Sequence, residues 1–362
     1  MSQIVLDCTP ALYTTNGVGR VTEALLQSML KHNLGNEFLL YSRSFKKKFK
    51  EYKGCKNLRM RIPKQLEGLI NKWKIIEKLA PKADLFHATN HYMPLKDADR
   101  AIVTVHDLIF LKQPENHLKG IHAEMAAKAP EFIKKARHII TCSEYTKNDL
   151  CNILNIQESK ITVIPWGLNQ ELFRIPENKN QTRNSLNEKF GIQKPFFLGV
   201  SCSIGRKNTP MLLNAYKKLL KSNPENDLVL VWDAPQDIRE KYKHPRIHFT
   251  GKVNDESLRD LYGCATATIY PSLYEGFGLP VLESMSCGTP VICSDVTSLP
   301  EVGKDAAIYI NPLDQQTLVN AMENFENNLS GLEELETKGR KLAAEFTWEK
   351  CALETQKVYG SL

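Results

Sequence analysis

The stretch that decides the fold runs from residue 270 to residue 294 and reads Tyr270-Pro-Ser-Leu-Tyr-Glu275-Gly-Phe-Gly-Leu-Pro-Val-Leu-Glu283-Ser-Met-Ser-Cys-Gly288-Thr-Pro290-Val-Ile-Cys-Ser294. A strand is predicted to end at Pro271, where the apolar run before it stops. Gly276 and Gly278 allow the backbone of the following loop to approach a ligand closely. Pro280 suits the first turn of a helix. The stretch therefore predicts a strand, a glycine-containing loop and a helix in succession.

Two acids in this stretch lie where they could hold different parts of one ligand. The N–H groups at the start of a helix are a ready site for a diphosphate. Glu275 lies in the loop, and Glu283 lies inside the helix about two turns later. Carboxylates accept hydrogen bonds from neighbouring hydroxyls, so a sugar and a ribose are natural partners, with the phosphates between them.

Outside this stretch, short apolar runs alternate with helix-compatible segments, which favours parallel strands joined by helical crossovers. One series of runs lies at 3–6, 38–41, 85–88, 101–105, 138–142 and 161–164. A second series lies at 195–200, 228–231, 247–249, 267–270, 291–293 and 307–310. The polar segment 170–193 has the composition of a linker with one short helix, so we place a domain boundary after residue 170. Both halves are predicted to be doubly wound α/β domains, which bind ligands at the carboxyl ends of their strands.

Length and composition agree with two globular domains. The chain has 362 residues, of which 42% are hydrophobic and 25% charged. No apolar run approaches the roughly 20 residues that span a bilayer, and Asp7 interrupts the N-terminus before a signal core, so we expect neither a membrane span nor export. Nine cysteines without a Cys-x-x-Cys pair indicate reduced thiols in a cytoplasm and no zinc site.

The net charge of +7 is concentrated in one segment, residues 43–82. This basic segment holds 14 Lys and Arg against three Glu. It includes Phe45-Lys-Lys-Lys-Phe49-Lys50 and Tyr52, and a helical spacing of Leu66, Leu69, Ile70, Trp73, Ile76 and Leu79. The pattern favours an amphipathic surface for anionic lipid. The alternative is a solvated basic face over an ordinary core helix. Nucleic acid is not expected, because the charge forms one patch on an otherwise enzyme-like chain.

Three further motifs could carry chemistry. Arg206 and Lys207 follow the run 196–200 and would present cations to a diphosphate. His106 lies at the carboxyl end of the run 101–105. Gly17 and Gly19 are predicted to lie in a loop after the first strand, but a third glycine and a suitable acid are missing, which disfavours an NAD site. Asp97 and Asp99 precede a strand, with Arg100 competing for their carboxylates, and are interpreted as a turn and not as a metal pair.

Taken together, these motifs resemble those of glycosyltransferase family 4, the retaining enzymes of the GT-B fold. Glu275 and Glu283 match its Glu-x7-Glu signature, Arg206 and Lys207 its phosphate-binding basic pair, and Thr104-Val-His106-Asp107-Leu its central histidine motif. Thr141-Cys-Ser-Glu-Tyr-Thr146 and Val163-Ile-Pro-Trp-Gly-Leu-Asn-Gln-Glu-Leu-Phe173 resemble the segments that lead to its hinge. Phe346-Thr-Trp348 opens what resembles its C-terminal crossover helix.

The resemblance implies two Rossmann-like domains facing across a cleft, namely 1–170 with the returning helix 345–362 for the acceptor, and 171–344 for the donor. It implies that His106 and Glu275 are catalytic, with His106 hydrogen-bonding the donor sugar, Glu275 orienting it and Glu283 holding the ribose. The implied donor-binding residues are Gly17, Gly19, Arg206, Lys207, Gly276, Phe277, Gly278, Leu279 and Glu283. Many family members have an Arg where this chain has Ser201, which leaves fewer cations for the diphosphate.

The implied reaction transfers a hexose from a nucleotide diphosphate sugar to a glycan or lipid-linked glycan, without a metal or a further cofactor. The variants around His106 and Arg206 look most like those of O-antigen and capsule mannosyltransferases, which favours GDP-mannose over UDP-glucose or UDP-N-acetylglucosamine. A cytoplasmic enzyme is expected, peripheral on the inner face of the membrane if the basic segment binds lipid. A sugar-nucleotide epimerase of the same fold and a nucleotide-sugar-binding protein without turnover are the alternatives.

Overall fold

The computed structural model describes residues 2–13, 17–61, 74–96, 98–113, 121–327 and 331–362. The chain divides into two compact units. The first unit combines Met1–Gly167 with Trp348–Leu362, and the second unit is Leu168–Thr347. The domain boundaries expected from the sequence, after residue 170 and before residue 345, each lie three residues from these borders.

The first unit is built on a parallel sheet whose described strands lie in the order β3-β2-β1-β4-β5-β6-β7. The strands are β1 (Gln3–Asp7), β2 (Glu37–Arg43), β3 (Lys56–Met60), β4 (Leu85–Ala88), β5 (Ala101–Val105), β6 (His138–Thr141) and β7 (Ile161–Val163). The helices are α1 (Gly17–Lys31), α2 (Ile75–Leu79), α3 (Ile109–Lys112), α4 (Ile121–Lys135), α5 (Glu144–Leu154) and, from the end of the chain, α14 (Trp348–Gly360). Short 3-10 turns occupy Pro10–Tyr13, Ala98–Arg100 and Glu158–Lys160. The strand order reverses between β1 and β4, which is where sheets of this type bind ligands.

The central strands of this sheet are buried on both faces. All five residues of β5 are buried, and its neighbour β4 is buried throughout. Val103 packs into one core with Phe86, whereas Ile102 packs into the opposite core with Leu26. Strands covered on both faces are near-continuously apolar, and this is why the sequence pattern predicted them.

Strand β3 was not predicted from the sequence. It pairs in parallel with β2, with Leu39 opposite Lys56 and Arg43 opposite Met60. Only Leu58 and Met60 of its residues are buried, because β3 is an edge strand with one polar face. Part of the basic segment is therefore an ordinary sheet edge.

The second unit is a parallel sheet whose described strands lie in the order β10-β9-β8-β11-β12-β13. The strands are β8 (Phe196–Gly199), β9 (Asp227–Leu230), β10 (Ile247–Phe249), β11 (Ala267–Tyr270), β12 (Val291–Ser294) and β13 (Ala307–Ile310). The helices are α6 (Lys179–Phe190), α7 (Thr209–Leu219), α8 (Gln236–Lys241), α9 (Asp255–Cys264), α10 (Leu279–Ser286), α11 (Leu299–Gly303), α12 (Gln315–Asn327) and α13 (Leu332–Ala344), with 3-10 turns at Leu220–Ser222 and Lys304–Ala306. Each strand predicted for this half is present. The short polar helix predicted in the linker is α6, in which only Leu186 is buried.

The last helix, α14, belongs to the first unit, whereas residues 345–347 of the expected return 345–362 belong to the second unit. The Leu34 amide donates to Gln356 Oε1 at 3.0 Å, and the Gln356 amide donates to the His32 carbonyl at 3.0 Å. Ala352 and Tyr359 are buried in the same core as Leu26 of α1. The C-terminal helix thus covers one face of the first sheet.

Candidate active site

The quoted stretch forms the predicted strand, loop and helix at the carboxyl edge of the second sheet. Strand β11 ends at Tyr270, and α10 begins at Leu279 with Pro280 in its first turn. Gly278 precedes the helix with φ 126°, and a Cβ there would lie 2.9 Å from Leu299 Cδ2. The positive φ favours glycine at this position, and a larger residue would also displace the Leu299 methyl group. Gly276 and Phe277 are buried, while Leu279 is half-buried at the helix start.

Glu275 lies at the centre of a buried charge cluster with both residues of the basic pair. Its Oε2 accepts from Arg206 Nη1 at 2.7 Å, and its Oε1 accepts from Lys207 Nζ at 2.6 Å. The Tyr270 hydroxyl donates to Oε1 at 2.9 Å and also contacts Lys207 Nζ. We call Arg206, Lys207, Tyr270 and Glu275 the charge cluster. The three charged residues predicted from separate motifs meet in one place.

The charges in the cluster fix its protonation. Burial acts to raise the pKa of Glu275, but the charges of Lys207 and Arg206 outweigh it and lower this pKa to about 2. Glu275 is therefore ionised at neutral pH. Burial lowers the pKa of Lys207, and the Glu275 charge opposes that effect. Two cations against one carboxylate leave the cluster with a surplus positive charge that can receive an anion.

Two loops bring these residues together. The loop after β8 carries Arg206, whose backbone carbonyl accepts from the Leu273 amide at 2.7 Å. Its Nη1 also donates to the Tyr274 carbonyl at 3.1 Å. Because β8 and β11 are neighbours in the sheet, their loops leave the same edge side by side.

A third loop holds the Glu275 segment in place. The Glu275 amide donates to Thr297 Oγ1 at 3.2 Å. The fully buried Ser298 hydroxyl lies 3.0 Å from the Glu275 carbonyl oxygen and 2.7 Å from that of Phe277. Ser298 thus hydrogen-bonds the carbonyls of Glu275 and Phe277 and holds the loop, a role that the sequence did not reveal.

Glu283 is buried inside α10 rather than exposed on it. The Tyr262 hydroxyl, from α9, donates to Glu283 Oε2 at 3.0 Å. Burial, reinforced by the Glu283 charge, raises the pKa of Tyr262 well above its ordinary value, so the hydroxyl keeps its hydrogen. Tyr262 is a second residue missed by sequence reasoning, since only packing brings α9 against α10.

In the first unit, His106 lies directly after β5, as predicted, and is buried. Its Nε2 is 2.8 Å from the Thr89 carbonyl oxygen, and its ring centroid is 5.0 Å from that of Trp166. Burial lowers its pKa to about 4, so the ring is neutral at physiological pH. The next residue, Asp107, accepts from the Ile109 amide at 3.1 Å and so helps to order the loop after β5.

The structure corrects the prediction of a glycine loop at Gly17 and Gly19. Both residues lie in the first turn of α1, Gly17 exposed and Gly19 buried, and neither has a positive φ. A Cβ on Gly17 would meet nothing within 4 Å. The backbone here is an ordinary helix start, so glycine is not required by its conformation.

Comparisons with known proteins agree with this geometry. The family model described as Glycosyltransferase Family 4 matches residues 15–172, and the model described as Glycosyl transferases group 1 matches residues 182–342. O-antigen chain mannosyltransferase B of Escherichia coli is 31% identical over 287 residues, covering 77% of this chain and 74% of that protein. This chain belongs to glycosyltransferase family 4. O-antigen chain mannosyltransferase RfbU of Salmonella typhimurium is 28% identical to this chain, and the match covers 66% of this chain and 64% of RfbU.

Solved structures show that the fold is shared as well. Sucrose-phosphate synthase from Thermosynechococcus elongatus superposes on the glycosyltransferase with a TM-score of 0.77 at 20% identity, covering 100% of this chain and 99% of that one. The expected GT-B class, with two parallel-sheet Rossmann-like domains, is thereby confirmed. Both curated relatives are mannosyltransferases of O-antigen chains by name, in line with the family resemblance.

The acidic pair considered for a metal is only half described in this glycosyltransferase. Asp99 lies in the 3-10 turn before β5, and Asp97 lies outside the described residues. Arg100 does not pair with an acid in the described contacts. Its guanidinium contacts the Ala83 carbonyl and lies 5.1 Å from the Phe86 ring centroid. Among the residues that the structure describes, no group of three His, Cys, Asp or Glu is placed to hold a metal.

The basic segment is only partly described. Leu66, Leu69, Ile70 and Trp73 lie outside the described residues, as does the rest of 62–73. Phe45 is 64% exposed, but Phe49 and Ile76 are buried in cores, which corrects their expected place on an amphipathic surface. Over the described ranges, no helix is long and apolar enough to cross a membrane.

The lysines of this segment border a cleft of about 320 Å³ beside the carboxyl ends of β1 and β2. Lys47 Nζ donates to the Leu12 carbonyl at 2.7 Å, and Lys50 pairs with Glu23. Lys48 pairs with Glu51 at 2.7 Å. The walls combine these cations with apolar surface from Ala11, Leu12 and Phe49.

Proposed function

We propose that this glycosyltransferase transfers a hexose, with mannose favoured, from a nucleotide diphosphate sugar to a hydroxyl of a glycan or lipid-linked glycan, with retention at the anomeric carbon. The observation that carries the proposal is the charge cluster, whose surplus positive charge lies beside the start of α10. A helix start and two cations are together suited to a diphosphate. The two named mannosyltransferase relatives support mannose as the sugar. GDP-mannose is the donor that we propose.

The contacts of Glu275 suggest how the donor enters the cluster. In the structure its carboxylate is ion-paired with Arg206 and Lys207, which are the proposed ligands of the diphosphate. An arriving diphosphate would take over these cations and release Glu275 to accept hydrogen bonds from the sugar hydroxyls. Glu283, held by Tyr262, would bind the ribose, and His106 of the first unit would contact the sugar.

The departing phosphate is the proposed base of the reaction. As the bond to the anomeric carbon breaks, the leaving oxygen gains negative charge and takes the acceptor proton on the same face. Arg206, Lys207 and the N–H groups at the start of α10 would stabilise that charge, which is where electrostatic preorganisation acts. No step in this scheme requires a metal or a further cofactor.

The acceptor is proposed to meet the first unit at the basic segment, where the cleft combines lysines with apolar walls. A lipid-linked glycan on an anionic membrane would suit both features. We accordingly propose a cytoplasmic enzyme that is peripheral on the inner face of the membrane.

The test incubates the protein with GDP-mannose, UDP-glucose or UDP-N-acetylglucosamine and a lipid-linked glycan acceptor. Mass spectrometry should show free nucleoside diphosphate and an acceptor heavier by one hexose, with GDP-mannose giving the fastest turnover. The one-bond ¹³C–¹H coupling constant at the anomeric carbon of the product should match that of the donor. Product of inverted configuration would refute retention, and a faster reaction with either UDP-sugar would refute the preference for GDP-mannose.

A further inference from the structure

A chain of buried polar side chains crosses the first unit beneath α14. The Tyr359 hydroxyl is 2.6 Å from His87 Nδ1, and His87 Nε2 is 2.8 Å from Thr104 Oγ1. His87 lies opposite Ile102 in the sheet, so Thr104, two residues further along β5, projects from the same face. Burial lowers the pKa of His87 to about 3, and its ring is therefore neutral.

The direction of these hydrogen bonds follows from the acceptors. The Tyr359 hydroxyl has two acceptors within reach, His87 Nδ1 and the Met29 sulfur at 3.7 Å. In the reverse direction Nδ1–H would donate to the hydroxyl, which would then have only the sulfur as its acceptor. A thioether is the weaker acceptor, so we take the hydroxyl to donate to His87 Nδ1. The hydrogen of the neutral ring then lies on Nε2 and is donated to Thr104 Oγ1. The Thr104 hydroxyl keeps its own hydrogen for another acceptor.

Thr104 lines a cavity of about 20 Å³ between β5, α1 and α14. A cavity needs about 10–15 Å³ to hold one water molecule. The other threonine hydroxyls of its wall already have acceptors: Thr22 donates to Thr89 Oγ1, Thr89 to the Asp7 carbonyl and Thr355 to the Cys351 carbonyl. Among the threonines of this wall, Thr104 is the one whose hydrogen remains to be donated.

His106 supplies the matching acceptor on the same wall. The Thr89 carbonyl can only accept, so the hydrogen of the neutral His106 ring lies on Nε2. Nδ1 then carries a lone pair, and it is buried without a partner among the described residues. An unmatched buried acceptor is costly, and an ordered water is the usual remedy.

We propose that one water molecule is bound in this cavity, accepting from Thr104 Oγ1 and donating to His106 Nδ1. Tyr359, His87 and Thr104 are then positioning residues that orient the water and hold His106 in one tautomer. By fixing the tautomer and orientation of the ring, this arrangement prepares the contact of His106 with the sugar. That last step rests on the proposed function, whereas the water and the tautomer do not.

The first experiment records ring ¹⁵N spectra of the ligand-free protein with labelled histidine. We expect His106 to carry hydrogen on Nε2 and to show a hydrogen-bonded Nδ1. Thr104→Ser keeps the hydroxyl and should leave the Nδ1 signal in place, whereas Thr104→Val should move it to the position of an unbonded nitrogen. A wild-type Nδ1 that bears hydrogen, or an unchanged signal in Thr104→Val, overturns the proposal. Matching thermal unfolding of the two variants shows that both fold.

The second experiment tests the chain behind Thr104. The amide of His87→Gln can accept from Tyr359 and donate to Thr104, whereas His87→Leu can do neither. The Gln variant should therefore restore the wild-type His106 signal that the Leu variant loses. If Gln and Leu give the same spectrum, His87 does not orient the water.

The third experiment concerns turnover. Loss of one net hydrogen bond predicts that Thr104→Val lowers kcat/KM for the sugar donor about fivefold while the Kd of free nucleoside diphosphate stays unchanged. If the spectra are as expected but kcat/KM is unchanged, only the positioning role is refuted. Failure of the wild type to use any nucleotide sugar would refute the proposed function and leave the spectroscopic result standing.

Discussion

At the scale of single residues, Glu275 and Glu283 belong to one motif but have different partners. Glu275 bridges two cations, whereas Glu283 accepts from Tyr262. Since free nucleoside diphosphate carries the ribose but not the transferred hexose, Glu283→Gln should weaken its binding roughly 10- to 100-fold, the value of a hydrogen bond to a charged group. Glu275→Gln should lower kcat by a similar factor and leave the Kd of the diphosphate equal or tighter. Calorimetry and initial rates measure both, and an equal loss of diphosphate affinity in the two variants would contradict the separate roles.

The pKa of Glu275 also makes a prediction about stability. In the folded protein its pKa of about 2 lies below the ordinary 4.5 because of Lys207 and Arg206. The ionised carboxylate therefore adds to the free energy of unfolding above pH 4.5, and this contribution is lost as the pH falls towards 2. The contribution at pH 7 is about 3 kcal/mol, of which about 2 kcal/mol should be lost by pH 3. Urea unfolding at both pH values should show this loss in the wild type and not in Glu275→Gln. Parallel pH dependence in the two proteins would mean that Glu275 is not held by the cations.

The sequence could identify the charged residues of the site but not their partners. Arg206, Lys207 and Glu275 lie in motifs whose residue types reveal their chemistry. Tyr262 and Ser298 lie in unremarkable stretches of sequence, and only the packing of α9 and the loop before α11 brings them to the site. Tyr270 ends the strand of the quoted stretch, so its position at the strand end was the one available signal.

At the scale of elements, the loop between β11 and α10 depends on Ser298 from the loop before α11. Ser298→Ala removes the hydroxyl hydrogen that ties the Glu275 and Phe277 carbonyls, so we expect a loss of about 1–2 kcal/mol in the free energy of unfolding. The KM for the sugar donor should rise. Ser294→Ala is the matched control, because the buried Ser294 hydroxyl has no partner among the described residues. Equal destabilisation of the two variants in urea unfolding would show that the contact with the loop is unimportant.

Elements were predictable where burial on both faces gave them continuous apolar runs. Strands β4, β5 and β8 are of this kind, and Pro280 after two glycines marked the start of α10. Strand β3 was missed because an edge strand needs only one apolar face, and its Lys56 and Arg59 resembled a charged surface. Gly17 was misjudged because a glycine pair resembles a loop even where its backbone is helical.

At the scale of the whole molecule, the proposed chemistry needs no divalent ion. Arg206, Lys207 and the start of α10 are proposed to neutralise the diphosphate, so turnover measured after dialysis against EDTA should stay within about twofold of the untreated rate. Denaturation by the chelator is excluded by an unchanged Tm. A rate that collapses with EDTA and returns with Mg²⁺ or Mn²⁺ would contradict the scheme and make Asp97 and Asp99 candidates.

The basic segment makes the last prediction, because its net charge of +11 is unusual for solubility alone. The structure directs the choice of residues: Lys47, Lys48 and Lys50 have partners within the first unit, whereas Lys46, Lys53 and Lys56 are exposed on it. At about 1 kcal/mol per lysine near an anionic surface, changing the exposed three to Ser should weaken binding to phosphatidylglycerol vesicles by up to roughly 100-fold. Changing Lys189, Lys194 and Lys221 of the second unit to Ser removes the same charge and is the matched control.

Salt provides an independent check on the vesicle experiment. Surface electrostatics reach only about 8 Å at physiological ionic strength, so co-sedimentation of the wild type should fall as salt rises. Donor hydrolysis in solution should be the same in both triple variants, because neither set belongs to the proposed donor site. If the wild type stays in the supernatant at low salt, or if the control triple weakens binding as much, the segment is a solvated face and the membrane proposal fails.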